Sequence, residues 1–189
     1  MGINYQELEK QEIDRLAPLW EKLREHHRVR SKHFTRRYNE ATWMKRKASL
    51  LEKAETGLLR LDIAMNQETG AIIGYCISTI SGYAQGEIES IFIETEYRKT
   101  GTGDNLMMRA LSWMEAMKVD RKILDVGAGN EEVLTFYQRY GFFDRHVIRL
   151  IMRINKGPTD LNTTVEFTNW DEVNRFAARI AALAPGRAA

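Results

Sequence analysis

The chain has one cysteine, Cys76, in 189 residues. An intramolecular disulfide is thereby excluded, and this usage fits a reducing compartment. Long apolar runs are missing too. Residues 1–30 are charged throughout and hold no apolar segment of the signal-peptide kind, and no stretch approaches membrane-spanning length. A cytoplasmic protein without a membrane partner is the expectation. Neither sign of charge prevails, with 28 Lys and Arg against 26 Asp and Glu and a net charge of +2. That balance argues against a general nucleic-acid or membrane-surface binder. Histidines number four. Three of them, His26, His27 and His33, are adjacent or irregularly spaced and match no ligand template, so no metal is expected.

What is present describes an ordinary globular protein. Hydrophobic residues make up 43% of the chain and charged ones 29%, enough to bury a real core. At about 150 residues per domain, one main domain is expected. Residues 3–9 read as a short first strand, and Ile13, Leu16, Leu19, Trp20 and Leu23 mark an amphipathic helix from Ile13 to about Arg28. The basic segment 26–37 reads as a solvated helix end and loop, with an anion-contacting or substrate-proximal loop as the sharper alternative. It lacks the interleaved stacking aromatics of a nucleic-acid patch. A second helix is expected over residues 39–55. The period then drops to two. Leu59, Leu61, Ile63 and Met65 alternate with their neighbours, and a turn at residues 66–70 leads into residues 71–80, an antiparallel hairpin.

The stretch that organises the rest begins at Glu87. Residues 87–93 read as a strand, 94–97 as a polar turn, and Arg98-Lys99-Thr100-Gly101-Thr102-Gly103 as a glycine loop before a helix starting near Asp104. Leu106, Ala110, Leu111, Met114 and Met117 line one face of that helix. Gly101 and Gly103 lack a Cβ, so they can take positive φ and admit a bulky anion to the backbone. The free N–H groups and dipole of the helix start favour that anion. A tight strand-to-helix turn with no ligand explains the hexapeptide equally well. Farther on, 122–126 reads as a short strand. Asn130 reads as the N-cap of a helix carrying Val133, Phe136, Tyr137 and Tyr140 and stopped by Gly141. Residues 143–154 read as a last strand. A linker follows at 155–160, then a candidate strand (163–168) and an amphipathic helix (170–183) able to pack on the core or on a second subunit, the basis for expecting a homodimer.

Taken in this order, residues 87–142 resemble the core of the GNAT family of acyl-CoA-dependent N-acyltransferases. The strand IESIFIETEYR, the loop RKTGTG and the block LDVGAGNEEVLTFYQRYGF carry the likeness, and the upstream elements follow the family order, extending it over residues 3–154. The resemblance implies an α/β (α+β) fold, a mixed and mostly antiparallel sheet flanked by helices, with a V-shaped splay between its fourth and fifth strands. It implies a GNAT domain over 1–154 and a C-terminal extension over 155–189. It also implies an enzyme moving acetyl from acetyl-CoA to a primary amine by direct attack in a ternary complex.

Residue by residue, the likeness implies that Arg98, Lys99, Thr100, Gly101, Thr102, Gly103 and Asp104 hold the CoA pyrophosphate. Asp104 is a departure, because it puts a carboxylate beside the phosphates. Ile91, Phe92 and Ile93 would lie along the cofactor, the backbone amides of Ile91 and Ile93 holding the pantetheine and the thioester oxygen, and Asn130 would hydrogen-bond the CoA arm. Tyr137 stands where the family tyrosine protonates the leaving thiolate. The amine, with a lysine-like pKa near 10.4, must lose a proton, and a partly buried carboxylate with a raised pKa suits that role. Glu89, Glu87 and Asp125 are the candidates. An acyl-CoA-binding sensor without catalysis is the alternative function. A nucleotide-binding regulator is disfavoured, since no nucleoside-reading motif accompanies the loop.

Overall fold

The computed structural model describes residues 2–82 and 84–144. The expected strand at 143–154 and the extension at 155–189 lie outside the described residues. Strand β1 (Ile3–Glu7) is followed by a 3-10 turn (Lys10–Leu16), helix α1 (Ala17–Arg30), a short helix α2 (Thr35–Glu40) and helix α3 (Trp43–Thr56). Then come β2 (Leu58–Asn66), β3 (Ile72–Ile80), β4 (Gln85–Ile93), α4 (Thr102–Ala116), β5 (Arg121–Leu124) and a short α5 (Leu134–Gln138). The five strands form one sheet in the order β1-β2-β3-β4-β5. All neighbours are antiparallel except β4 and β5, which run parallel. Among the described residues no helix is long and apolar enough to cross a membrane.

Two boundaries differ from expectation for local reasons. The first helix is 3-10 up to Leu16, and its α-helical part starts at Ala17 with Pro18 in the first turn. Proline has no N–H to give, so it is tolerated only where the helix begins. The expected helix over 39–55 is two pieces, because Thr42 interrupts it. Its backbone is extended and its hydroxyl accepts from Lys45 N–H at 3.3 Å, an N-cap that restarts the chain as α3.

The sheet buries both faces. On one, α1 and α3 cover a core of Leu16, Leu19, Trp20, Leu50, Leu61, Ile63, Tyr75, Ile77 and Phe92. On the other, α4 buries Leu106, Met107, Ala110 and Met114 against Ile73, Cys76 and Ile88. Each fully buried leucine or methionine side chain there contributes about 1.5–3 kcal/mol. A buried carboxylate fixes α4 further. Asp62 of β2 accepts from Arg109 Nε of α4 at 2.7 Å and from Arg60 Nε at 2.6 Å. The helix start, and so the loop before it, is held in register with the sheet.

Candidate active site

The splay comes from an interruption in β4. That strand pairs with β5 only from Gln85/Arg121 to Ile88/Leu124, yet it continues to Ile93 while β5 stops at Leu124. Where the pairing ends, β4 carries a bulge. Ser78 of β3 opposes Ile88 and its neighbour Ile77 opposes Ser90, which leaves Glu89 as the extra residue. A bulge bends its strand and raises its twist, here turning the end of β4 away from β5. The alternation of antiparallel bonding then decides which groups are free. Glu94 N–H donates to the Ile73 carbonyl at 2.9 Å, and Phe92 pairs with Tyr75 in the same register. Phe92 therefore bonds toward β3, whereas Ile91 and Ile93 aim their N–H and C=O groups at the side β5 has left. Ile91 and Ile93, the two residues expected to offer amides, are so placed, while Phe92, expected beside the cofactor with them, turns its own amide toward β3. Its ring lies in the core under α1 and α3.

Glu87 and Glu89 share a face, as expected, and both meet α3. Lys53 Nζ donates to Glu87 Oε2 at 2.8 Å and also to Glu89 Oε1. Thr79 Oγ1 donates to Glu89 Oε1 at 2.7 Å, and Arg46 Nη2 donates to Glu89 Oε2 at 2.9 Å and to the Glu89 carbonyl at 3.0 Å. The Glu89 side chain is only 2% exposed. Burial by itself pushes its pKa up, but the bonds from Lys53 and Thr79 and the charge of Arg46 outweigh burial and hold it below the usual value. This corrects the expectation of a raised carboxylate. The two glutamates and two cations are also electrically balanced. Asp125 is exposed just past the end of β5.

The glycine loop runs straight into the start of α4. Gly101 has φ +85 and caps α4, whereas Gly103 lies inside the helix. A Cβ on Gly103 would sit 3.3 Å from the Ile93 side chain and 3.5 Å from the Phe136 ring, so close packing is what it serves. Thr100 Oγ1 donates to the Tyr97 carbonyl at 2.8 Å, so its 2.9 Å contact with the buried Thr102 hydroxyl must be accepted from Thr102. Lys99 takes a left-handed φ of +62, a conformation that non-glycine residues adopt only when the surroundings impose it. The Arg98 Nε donates to the Ile93 carbonyl at 3.0 Å, and its guanidinium lies over the Phe92 ring. The first-turn N–H groups of Thr102, Gly103 and Asp104 have no helical carbonyl to bond, an arrangement that suits an anion. Asp104 is answered from α5's C-terminal end. Tyr140 Oη donates to Asp104 Oδ1, and Arg139 Nη2 pairs with the same oxygen at 3.0 Å. Its charge is spent on that latch, and the loop remains compatible with a pyrophosphate.

Asn130 is not the side-chain N-cap that its position suggested. It precedes the 3-10 turn Glu131–Val133 and makes no capping bond. The residue is 8% exposed, and its Oδ1 lies 3.1 Å from His26 Nε2 of α1. Tyr137 packs with Phe136, Phe142 and the α4-side core that includes Cys76, Ile91 and Ile93. Burial raises its phenol to about 12. The structure thus gathers Ile91, Ile93 and Tyr137 in one cluster, the glycine loop at its end, and Glu87 and Glu89 on the opposite face of the strand. The basic segment 26–37 is the end of α1 and the start of α2, folded against residues 127–130. His27 stacks on Tyr38 at 5.6 Å, and burial lowers its pKa to about 4.

Known proteins share both sequence and fold with this chain. The acetyltransferase (GNAT) family profile matches residues 17–142. A 48-residue stretch, 25% of the chain, is 46% identical to a protoporphyrinogen IX dehydrogenase [quinone] of Leishmania major and covers 21% of that protein. A stretch of 82 residues, 42% of the chain, is 33% identical to an N-acetyltransferase of Methanocaldococcus jannaschii and covers 35% of it. The chain thus spans about a fifth to a third of the length of these curated relatives. The structure of an aminoglycoside N-acetyltransferase, AAC(6')-Iy, in complex with CoA superposes with a TM-score of 0.56 at 16% identity, over 80% of this chain and 99% of that one, which shows a shared fold. With the family profile matched over well over half of its length, the chain belongs to the GNAT acetyltransferase family.

Proposed function

We propose that the protein is an acetyl-CoA-dependent N-acetyltransferase that moves acetyl to a primary amine by direct attack in a ternary complex. The observation that carries this reading is the parting of β4 from β5 after Ile88/Leu124. It frees the amides of Ile91 and Ile93 in a cleft that leads to the α4 start. The pyrophosphate of CoA would lie on residues 98–104, and Asn130 would hold the pantetheine arm. An amide at Ile91 or Ile93 would stabilise the oxyanion of the tetrahedral intermediate, where preorganised donors act most strongly. As the amine nitrogen bonds to the acetyl carbon, the carbon–sulfur bond breaks, the amine gives up a proton and the thiolate takes one.

Tyr137 is the donor to sulfur in this reading. A phenol near 12 is fully protonated at neutral pH but stands well above a thiol at ~8.5. It serves the departing sulfur as a hydrogen-bond donor that yields its proton late. For the amine proton Glu89, Glu87 and Asp125 stay in play. The two bonds to Oε1 occupy it, but Oε2 takes only Arg46's, so Glu89 would act through a water on Oε2. The structure of an aminoglycoside acetyltransferase with CoA supports the choice of co-substrate. A cytoplasmic setting and self-association complete the reading.

Acetyl-CoA should bind the intact chain in a calorimetric titration, and thiol release should appear with one of a panel of small amines, polyamines and peptides. Tyr137→Phe should then slow turnover by about 10²-fold or more. Absence of acetyl-CoA binding would sink the assignment. One observation favours a second reading, acyl-CoA binding without turnover, namely that Glu89 is lowered and clamped by cations. Binding without thiol release across the panel would select it.

A further inference from the structure

Asn130 is tied to the far end of α1 by a chain of side-chain bonds whose direction can be worked out. Arg30 Nη1 lies 2.9 Å from His26 Nδ1, and His26 Nε2 lies 3.1 Å from Asn130 Oδ1. A guanidinium has only donors, so His26 Nδ1 must accept and carries no proton. The imidazole proton is then on Nε2, which donates to Asn130 Oδ1. The same arginine reaches past the asparagine, with Nη2 at 3.2 Å from Glu132 Oε1. That ion pair is exposed and worth little by itself, but it pins the turn that follows Asn130.

The backbone is shaped for the same contact. Gly129 has φ +91, and a Cβ there would fall 2.4 Å from the Arg30 carbonyl oxygen. A Cβ on Gly127 would meet Tyr38 Oη at 3.0 Å and His27 Nδ1 at 3.4 Å. Both glycines let the loop lie directly on the α1 end. With Oδ1 taken by His26, the free hydrogen-bonding function of Asn130 is its pair of N–H donors. Left alone, an asparagine amide can turn over and offer its carbonyl instead.

We infer that His26 is a positioning residue that fixes the Asn130 amide as a donor, so that it binds a carbonyl of the pantetheine arm and not an N–H. This rests on the acetyl-CoA reading above. The test compares two ligands by titration on the intact chain: CoA, which has the pantetheine arm, and 3′-phospho-ADP, which has only the part that meets the glycine loop. His26→Ala should weaken CoA about three- to tenfold, the worth of one hydrogen bond, and leave 3′-phospho-ADP unchanged. His26→Gln, whose amide N–H can take the place of Nε2–H, should restore CoA affinity to within about twofold of the parent on the same scale. Combined with Asn130→Ala, His26→Ala should add nothing, since both remove one interaction. Equal weakening of both ligands, an unchanged CoA affinity, or additive losses would overturn the inference. A parent chain that binds 3′-phospho-ADP but gains nothing from the pantetheine arm overturns it as well, whereas a parent that binds neither ligand overturns the acetyl-CoA reading itself.

Discussion

Protonating His27 means placing charge on a half-buried ring between Tyr38 and the neighbouring His26 and Arg30. The unfolded chain takes that proton near 6.5, the folded one only near 4. Between those values the unfolded state holds more protons, so stability rises with pH and is lost as pH falls from about 6.5 toward 4. His27→Phe keeps a stacking ring and removes the titration. Its melting temperature should fall less than the parent's between pH 7 and pH 4.5, and parallel curves would refute the assignment. At this scale residue types were legible but their partners were not. Glu89 was recognisable as a candidate carboxylate, yet the lysine and arginine that clamp it lie 36 and 43 positions away. His26 and Asn130 are 104 apart. Nothing local to a sequence encodes such pairings, because they depend on which helix faces meet which strand. Asp104 is the instructive case. Beside a phosphate loop its charge looked misplaced, and only the return of Arg139 and Tyr140 accounts for it.

Elements were easier to read, because their signals are periodic. The two-residue repeat of 58–65 became β2, and the β-branched run after Gly70 became β3. The misses fall where one polar side chain decides. Thr42, directly before Trp43, caps α3 and splits the expected helix. Asn130 resembled a cap and bonded elsewhere. The start of α4 invites a test of the loop's two glycines, which do different jobs. An added Cβ on Gly101 meets nothing within 4 Å, but the φ of +85 is disfavoured for an L-residue, so Gly101→Ala should cost about 1–2 kcal/mol. Gly103→Ala presses on Ile93 and Phe136 side chains that can give way, and should cost less. Chemical denaturation checks the order, and equal losses would mean that Gly101's conformation is not what the loop requires.

Over the whole molecule, the resemblance implied a sheet flanked by helices, and the two buried faces under α1 and α3 and under α4 bear it out. The family match leaves 16 residues ahead of it and 47 behind. If residues 155–189 are an appendage to the acyltransferase unit, a chain ending at Ile154 should bind CoA within about twofold of the full chain, a difference under ~0.5 kcal/mol. A tenfold loss would make the extension part of the domain. The bulge in β4 also sets which face each side chain of the strand takes. Ile88 and Ile91 are three positions apart, yet both lie on the α4 side, because Glu89 is the uncounted residue between them. Remove it and every other side chain of the strand keeps its face, while the reason for leaving β5 disappears. The core cannot tell the two sequences apart. A seamless ladder and a strand that parts from its neighbour differ here by a single residue, Glu89.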